Sequence, residues 1–73
     1  MNTPKNEPDT LGDALPREIK RCQELLIDYA AIGPAGNFGA AMIRMDIAAG
    51  IKAMAEGDPV AMIRAYEALK GCQ

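Results

Sequence analysis

The chain contains no histidine, no serine and no tryptophan, and its only threonines are Thr3 and Thr10. Without histidine, neither a Ser-His-Asp triad nor a Cys-His pair can be assembled. A zinc site also lacks ligands, because the two cysteines do not form a CxxC motif. The acidic residues fall mainly where solvated helix faces would place them, with Asp46 as the exception. We therefore predict that the protein is not an enzyme and holds no metal and no cofactor.

Charge of one sign and long apolar runs are scarce as well. The formal net charge is −2 and there is no basic stripe, which disfavours nucleic acid as a partner. The N-terminal residues have no apolar segment typical of a signal peptide. The longest uncharged run, residues 29–43, is broken by Pro34 and three glycines, so no membrane span is expected. We predict a cytoplasmic protein in which Cys22 and Cys72 are reduced thiols.

What the chain does have is a helix-forming composition. Hydrophobic residues make up 49% of it, mostly Ala, Leu, Met and Ile, with only three aromatic residues. Residues 1–12 lack periodicity and are predicted to be a disordered N-terminal arm, followed by a single helical domain at residues 13–71. The predicted helices are residues 13–32, 37–56 and 59–70, with Asp13, Asn37 and Asp58 as N-caps. Short connections then predict an all-α fold, a three-helix up-down-up bundle.

The second helix is apolar on two sides. One face carries Ala40, Ile43, Ile47, Gly50, Ile51 and Met54, and the other carries Phe38, Met42, Met45, Ala49 and Ala53. A chain of 73 residues buries one such face more easily than two. We therefore predict a homo-oligomer that assembles through the second helix. The tetrapeptide AMIR, at residues 41–44 and again at 61–64, fits either a duplicated helix or chance in this composition.

The glycine-rich segment at residues 33–39 has two interpretations. It is not a Walker loop or a dinucleotide fingerprint, because a helix precedes it and the glycines are spaced G-x-x-G-x-x-G. One interpretation is a bend whose glycines allow close helix packing. The other is an anion site at a helix N-terminus, formed in an assembly. The candidate ligand-binding residues would then be Gly36, Asn37, Phe38, Gly39 and Arg44.

Residues 15–70 resemble small helical proteins encoded by bacteriophages and prophages. The segments that carry the resemblance are LPREI, IGPAGNFGAAMI and EGDPVAMIRAYEALK. The resemblance transfers no catalytic or binding residue, but it implies an accessory protein that binds and disables a host component, including components of antiviral defence. Its place of action would be the host cell cytoplasm.

The sequence is compatible with two binding functions from different classes and with a third, structural function. The first is an inhibitor or adaptor that binds a host protein through Ile27, Phe38, Met42, Met45 and Ala49, because Met-rich apolar surfaces suit partner binding. The alternative is an oligomeric sponge that sequesters a small anionic or nucleotide signal at residues 33–39. A structural virion component would require only the oligomer.

Overall fold

Three α-helices joined by short connections make up the chain, for which the computed structural model describes residues 10–72. The helices are α1 at Leu11–Ile32, α2 at Asn37–Glu56 and α3 at Pro59–Lys70, with a 3₁₀ turn at Pro34–Gly36 before α2. Each helix packs against the other two. The predicted all-α fold of three packed helices is confirmed. Most of the predicted arm, residues 1–9, lies outside the described residues.

The first helix starts earlier than the sequence predicted. Thr10 is the N-cap, and its Oγ1 accepts a hydrogen bond of 3.1 Å from the Asp13 N–H. The same hydroxyl donates to Asp13 Oδ2 at 2.9 Å. Leu11 and Gly12, assigned to the arm, therefore belong to the first turn of α1, and Asp13 lies inside the helix rather than capping it. Pro16 consequently falls in the second turn.

The connection between α1 and α2 is built on one glycine with positive φ. Gly33 has φ 86°, a conformation that residues with a Cβ rarely adopt, and its carbonyl accepts from the Gly36 N–H at 2.9 Å. The 3₁₀ turn then continues directly into α2. Asn37, the predicted N-cap, has helical angles, and the capping position is Gly36 without a side-chain hydrogen bond. The prediction was wrong here because the 3₁₀ turn supplies the first helical residues.

The connection between α2 and α3 follows the sequence closely. Gly57 is left-handed, with φ 65°, and its N–H donates to carbonyls of the last turn of α2. Asp58 caps α3 by accepting from the Val60 N–H at 3.1 Å and the Ala61 N–H at 3.2 Å. Pro59 occupies the first helical position, where its missing N–H is not needed. The cap residues and bounds predicted for α3 are confirmed.

A small apolar core lies between the three helices. It contains Leu15, Ile19 and Cys22 from α1, Ile43 and Ile47 from α2, and Ala65 and Leu69 from α3. Gly50 brings α2 close to both neighbours, because a Cβ there would lie 3.3 Å from the Cδ1 atoms of Ile19 and Leu69. The first apolar face predicted for α2 therefore supplies its core residues.

Three apolar residues differ from the predicted pattern. Ala53, assigned to the second face of α2, is buried, whereas Ile51 and Met54, assigned to the first face, are exposed. The short connection at residues 57–58 holds the start of α3 beside the end of α2, so Ala53 packs towards Ala61 and Ala65. Ile63 of α3 is exposed as well. Small residues thus line the α2–α3 contact near the connection, whereas Ile43, Ile47 and Leu69 belong to the shared core further along.

Candidate functional site

The glycines before and within α2 are explained by contact with Tyr29 of α1. A Cβ on Gly36 would lie 3.1 Å from the carbonyl carbon of Tyr29 and closer still to its oxygen. A Cβ on Gly39 would lie 2.6 Å from Cδ2 of the Tyr29 ring. The backbone of α2 therefore approaches α1 at distances that only glycine permits. This geometry supports the interpretation of residues 33–39 as a packed bend.

The candidate anion-binding residues are only partly brought together. The Asn37 N–H, expected to be free, donates to the Pro34 carbonyl oxygen. Phe38 is exposed beside it, and Gly39 faces Tyr29. Arg44 is exposed seven residues after Asn37, about 10 Å along the helix axis. Within one chain, Arg44 therefore lies about two turns from the N-terminus of α2.

The second apolar face of α2 forms an exposed stripe. Phe38 is 79% exposed, Met42 44% and Met45 65%. We call these three side chains the ridge; their spacing of four and three residues puts them on one side of the helix. Ala49 continues the stripe and is exposed as well. Ile27, the fifth residue of the predicted interface, is 69% exposed but lies on α1.

Beside the C-terminal end of the ridge, α2 and α3 enclose a shallow groove, here called the hollow. Its apolar lining consists of Ala49, Ala53, Val60, Ala61, Ala65 and Ala68. Charged side chains border it: Lys52 and Glu56 from α2, and Asp58 and Arg64 from the N-terminal part of α3 with its cap. Because the lining is mostly alanine, a partner's large side chains or helix backbone can approach closely there.

A second depression lies at the other end of the same face, next to Met42 of the ridge; this end of the face is called the ridge end. Met42 and Asp46 line it from α2, and Glu67, Ala68 and Cys72 line it from α3 and the residues after it. Ala68 borders both depressions, so the two are continuous along the α2–α3 face. The face thus carries large side chains and the carboxylates of Asp46 and Glu67 at one end, and alanines with two cations and two carboxylates at the other.

A polar cluster ties the C-terminal residues to α1 and α2. Arg21 donates from Nη2 to the Leu69 carbonyl oxygen at 2.7 Å and from Nη1 to the Cys72 carbonyl oxygen at 3.1 Å. The Cys72 thiol donates to Asp46 Oδ2 at 3.5 Å. The buried Cys22 thiol donates to the Leu69 carbonyl oxygen at 3.4 Å. Two of these bonds end on the Leu69 carbonyl oxygen in the last turn of α3, which also accepts from the Cys72 N–H at 3.1 Å.

Both thiols are held in the protonated form. Burial raises the pKa of Cys22, with Arg21 opposing this. Burial and the hydrogen bond to Asp46 raise the pKa of Cys72 to about 11. Because the thiolate is the nucleophile, neither cysteine is activated. Over residues 10–72, no group of three or more His, Cys, Asp or Glu side chains is placed to hold a metal ion.

The sequence pattern did not predict several of these contacts. The role of Tyr29 as the surface against which two glycines pack can be seen only in the fold. The contacts of Arg21 and Asp46 with residues 69 and 72 cross most of the chain, and no spacing rule links them. The alanines of the hollow were visible only as helix formers. In the part of the chain that the structure describes, no helix has the length and apolarity needed to cross a membrane.

Comparison of the chain with protein-family models, with curated proteins and with solved structures gave no match. The resemblance of residues 15–70 to phage-encoded proteins therefore stays a prediction. Any function must be argued from the ridge, the hollow and the charges around them.

Proposed function

We propose that this chain is a non-enzymatic binding protein that acts through the apolar surface of α2, as a phage-type inhibitor or adaptor directed at a host protein. The ridge is the observation that carries the proposal. Three large apolar side chains stand exposed at helical spacing on a molecule of only 7.8 kDa. Isolated apolar side chains are common on protein surfaces, whereas aligned ones mark sites of contact.

The chemistry of the ridge suits a protein partner. Methionine side chains are unbranched and polarizable, so they adapt to differently shaped apolar surfaces. Phe38 adds a rigid aromatic side chain at the start of α2. Aromatic side chains of this kind anchor interfaces when they insert into a pocket of the partner. We expect a partner that presents an apolar groove or an amphipathic helix to this side of α2.

The proposal includes the finer architecture predicted from sequence. The three helices run up, down and up, since the connections between them are too short to cross the bundle. The chain assembles through α2, whose second apolar face its own α1 and α3 leave exposed. Its place of action is the host cytoplasm, and the host proteins we expect it to disable belong to antiviral defence.

The experiment is capture from a bacterial lysate followed by reconstitution with the purified partner. We expect one host protein to bind in a fixed ratio and to be lost with Met45→Asp. Gln23→Asp, on the exposed side of α1, is the matched control and should bind normally. A partner that binds Met45→Asp as tightly as the parent chain would contradict a role for the ridge.

The nucleotide-sponge alternative, at Gly36, Asn37, Phe38, Gly39 and Arg44, has a separate test. Because Arg44 lies about two turns from the start of α2 within one chain, we expect the site to use an arginine from another copy. Calorimetric titration with cyclic and linear nucleotides decides this: heat abolished by Arg44→Ala supports the sponge, and no heat from any nucleotide removes it. The alternative of a structural virion component requires that the chain be found in purified virus particles.

A further inference from the structure

We propose that the α2–α3 face bearing the ridge and the hollow is covered by a second copy of this chain, turned by a two-fold axis that passes near Ala49. The inference rests on the proposed function in one respect, that this face is an interaction surface. It adds the position and orientation of the second copy to the proposed assembly through α2.

Shape is the first argument for a second copy. The ridge projects from one end of the face, and the hollow, floored by alanines, lies at the other end. A two-fold rotation places the ridge of each copy over the hollow of the other. Such an interface is isologous, since the same patch serves on both molecules. A host protein would have to supply both complementary shapes, whereas a second copy already has them.

The spacing of the ridge supports packing of α2 against α2. Phe38, Met42, Met45 and Ala49 follow one another at four, three and four residues, the repeat of a helix-packing seam. Ala41 and Ala48, four residues before Met45 and three after it, are exposed and small. Their size permits two α2 helices to approach closely.

Charge fixes the orientation of the second copy. Asp46 lies at the ridge end of the face and Lys52 at the hollow end, and Ala49 is midway between them. A two-fold axis near Ala49, with the two helices antiparallel, therefore brings Asp46 of each copy level with Lys52 of the other along the helix axis. The reverse, parallel arrangement would set each Lys52 against its own counterpart, and like charges facing one another are destabilising.

The same separation of charge recurs on α3. Glu67 lies at the ridge end and Arg64 at the hollow end. Among the described residues, no ion pair is formed by Glu67, Arg64 or Lys52. Two carboxylates also border the hollow. Asp58 is occupied in capping α3. Glu56, seven residues after Ala49, comes level with the uncharged Met42 of the second copy, seven residues before it, so no second carboxylate faces it.

A consequence for the proposed function follows from the shared surface. The second copy covers the ridge that a host protein would bind, so self-association and host binding compete. Raising the concentration of the chain should therefore weaken the apparent binding of the host protein. The assembled chain would be a resting form from which the partner displaces one copy.

Charge reversal with rescue tests the inference by analytical ultracentrifugation. We expect Lys52→Glu to weaken self-association on the order of tenfold, because two rim pairs become repulsive. The double variant Asp46→Lys/Lys52→Glu should restore it, since each new lysine faces a new glutamate. Lys20→Glu, an exposed reversal on α1, is the matched control and should change nothing. Folded variants without rescue would overturn the orientation.

Cross-linking at the axis keeps the inference testable if the double variant fails to fold. Ala49→Cys should form a disulfide-linked dimer on addition of a small-molecule disulfide, far faster than Gln23→Cys or the parent chain with Cys22 and Cys72. Equal rates for the two variants would overturn the axis. A dimer without a host partner removes only the host-binding part of the proposed function, whereas a host partner bound by a monomeric chain leaves host binding in place and removes this inference together with the assembly through α2.

Discussion

Replacing Gly36 with alanine tests whether the glycines before α2 exist for packing. The new Cβ would lie 3.1 Å from the carbonyl carbon of Tyr29 and closer to its oxygen. Both are backbone atoms of α1, so they cannot swing aside as a side chain would. Overpacking of this kind costs about 1–3 kcal/mol. Gly36 is the capping residue of α2, where alanine is also less favourable than glycine, so no helix propensity offsets the cost.

For a domain of this size, each kcal/mol moves the unfolding midpoint by about 4–8 °C, so the predicted loss is on the order of 10 °C. Thermal unfolding followed by circular dichroism measures it. Gly12→Ala is the matched control: its Cβ meets only Thr10 Oγ1, at 3.7 Å, and alanine favours the helix by about 1 kcal/mol. If Gly36→Ala and Gly12→Ala unfold at the same temperature, the packing explanation fails, and a ligand role for the glycine becomes the better account.

Three further predictions concern the core, a helix cap and the C-terminal thiol. Ile47→Asp puts a carboxylate into the core and should cost about 2–5 kcal/mol in chemical denaturation, whereas Met45→Asp should keep the helical circular dichroism because that side chain is exposed. Asp58→Ala removes the acceptor of two N–H groups of α3 and should lower the free energy of unfolding by about 0.5–2 kcal/mol, while Asp58→Ser should retain most of it. The pKa of Cys72 is about 11 in the folded chain and near 9 ordinarily, so the unfolded chain loses this proton first. The free energy of unfolding should therefore fall as pH rises from about 9 to about 11. If the slope of the free energy of unfolding against pH is the same in Cys72→Ala, this reasoning is contradicted.

Local rules predicted much of the architecture. Asp58 and Pro59 start α3 and Gly57 ends α2 because capping depends on neighbouring residues, which the sequence displays. The start of α1 was misplaced by a choice between two good caps, Thr10 and Asp13, and the hydroxyl of Thr10 is the one that caps the helix.

The site was less accessible to sequence reasoning because it depends on distances between helices. The two apolar faces of α2 were recognised. However, Ala53 is buried and Ile51 is half exposed, the reverse of the prediction, because α3 packs close to the end of α2. The hollow is made by alanines from two helices, and alanine carries no signal beyond helix propensity. The glycines of residues 33–39 could be explained only once Tyr29 was seen to lie against them.

The central claim is that α2 buries one apolar face in its own chain and the other against a second chain. Sedimentation equilibrium of the purified protein over a wide concentration range measures this most directly. We predict a mass above 7.8 kDa that rises with concentration and that falls back to the single-chain value in Met45→Asp. A folded parent chain that stays at 7.8 kDa at the highest concentration reached would contradict it.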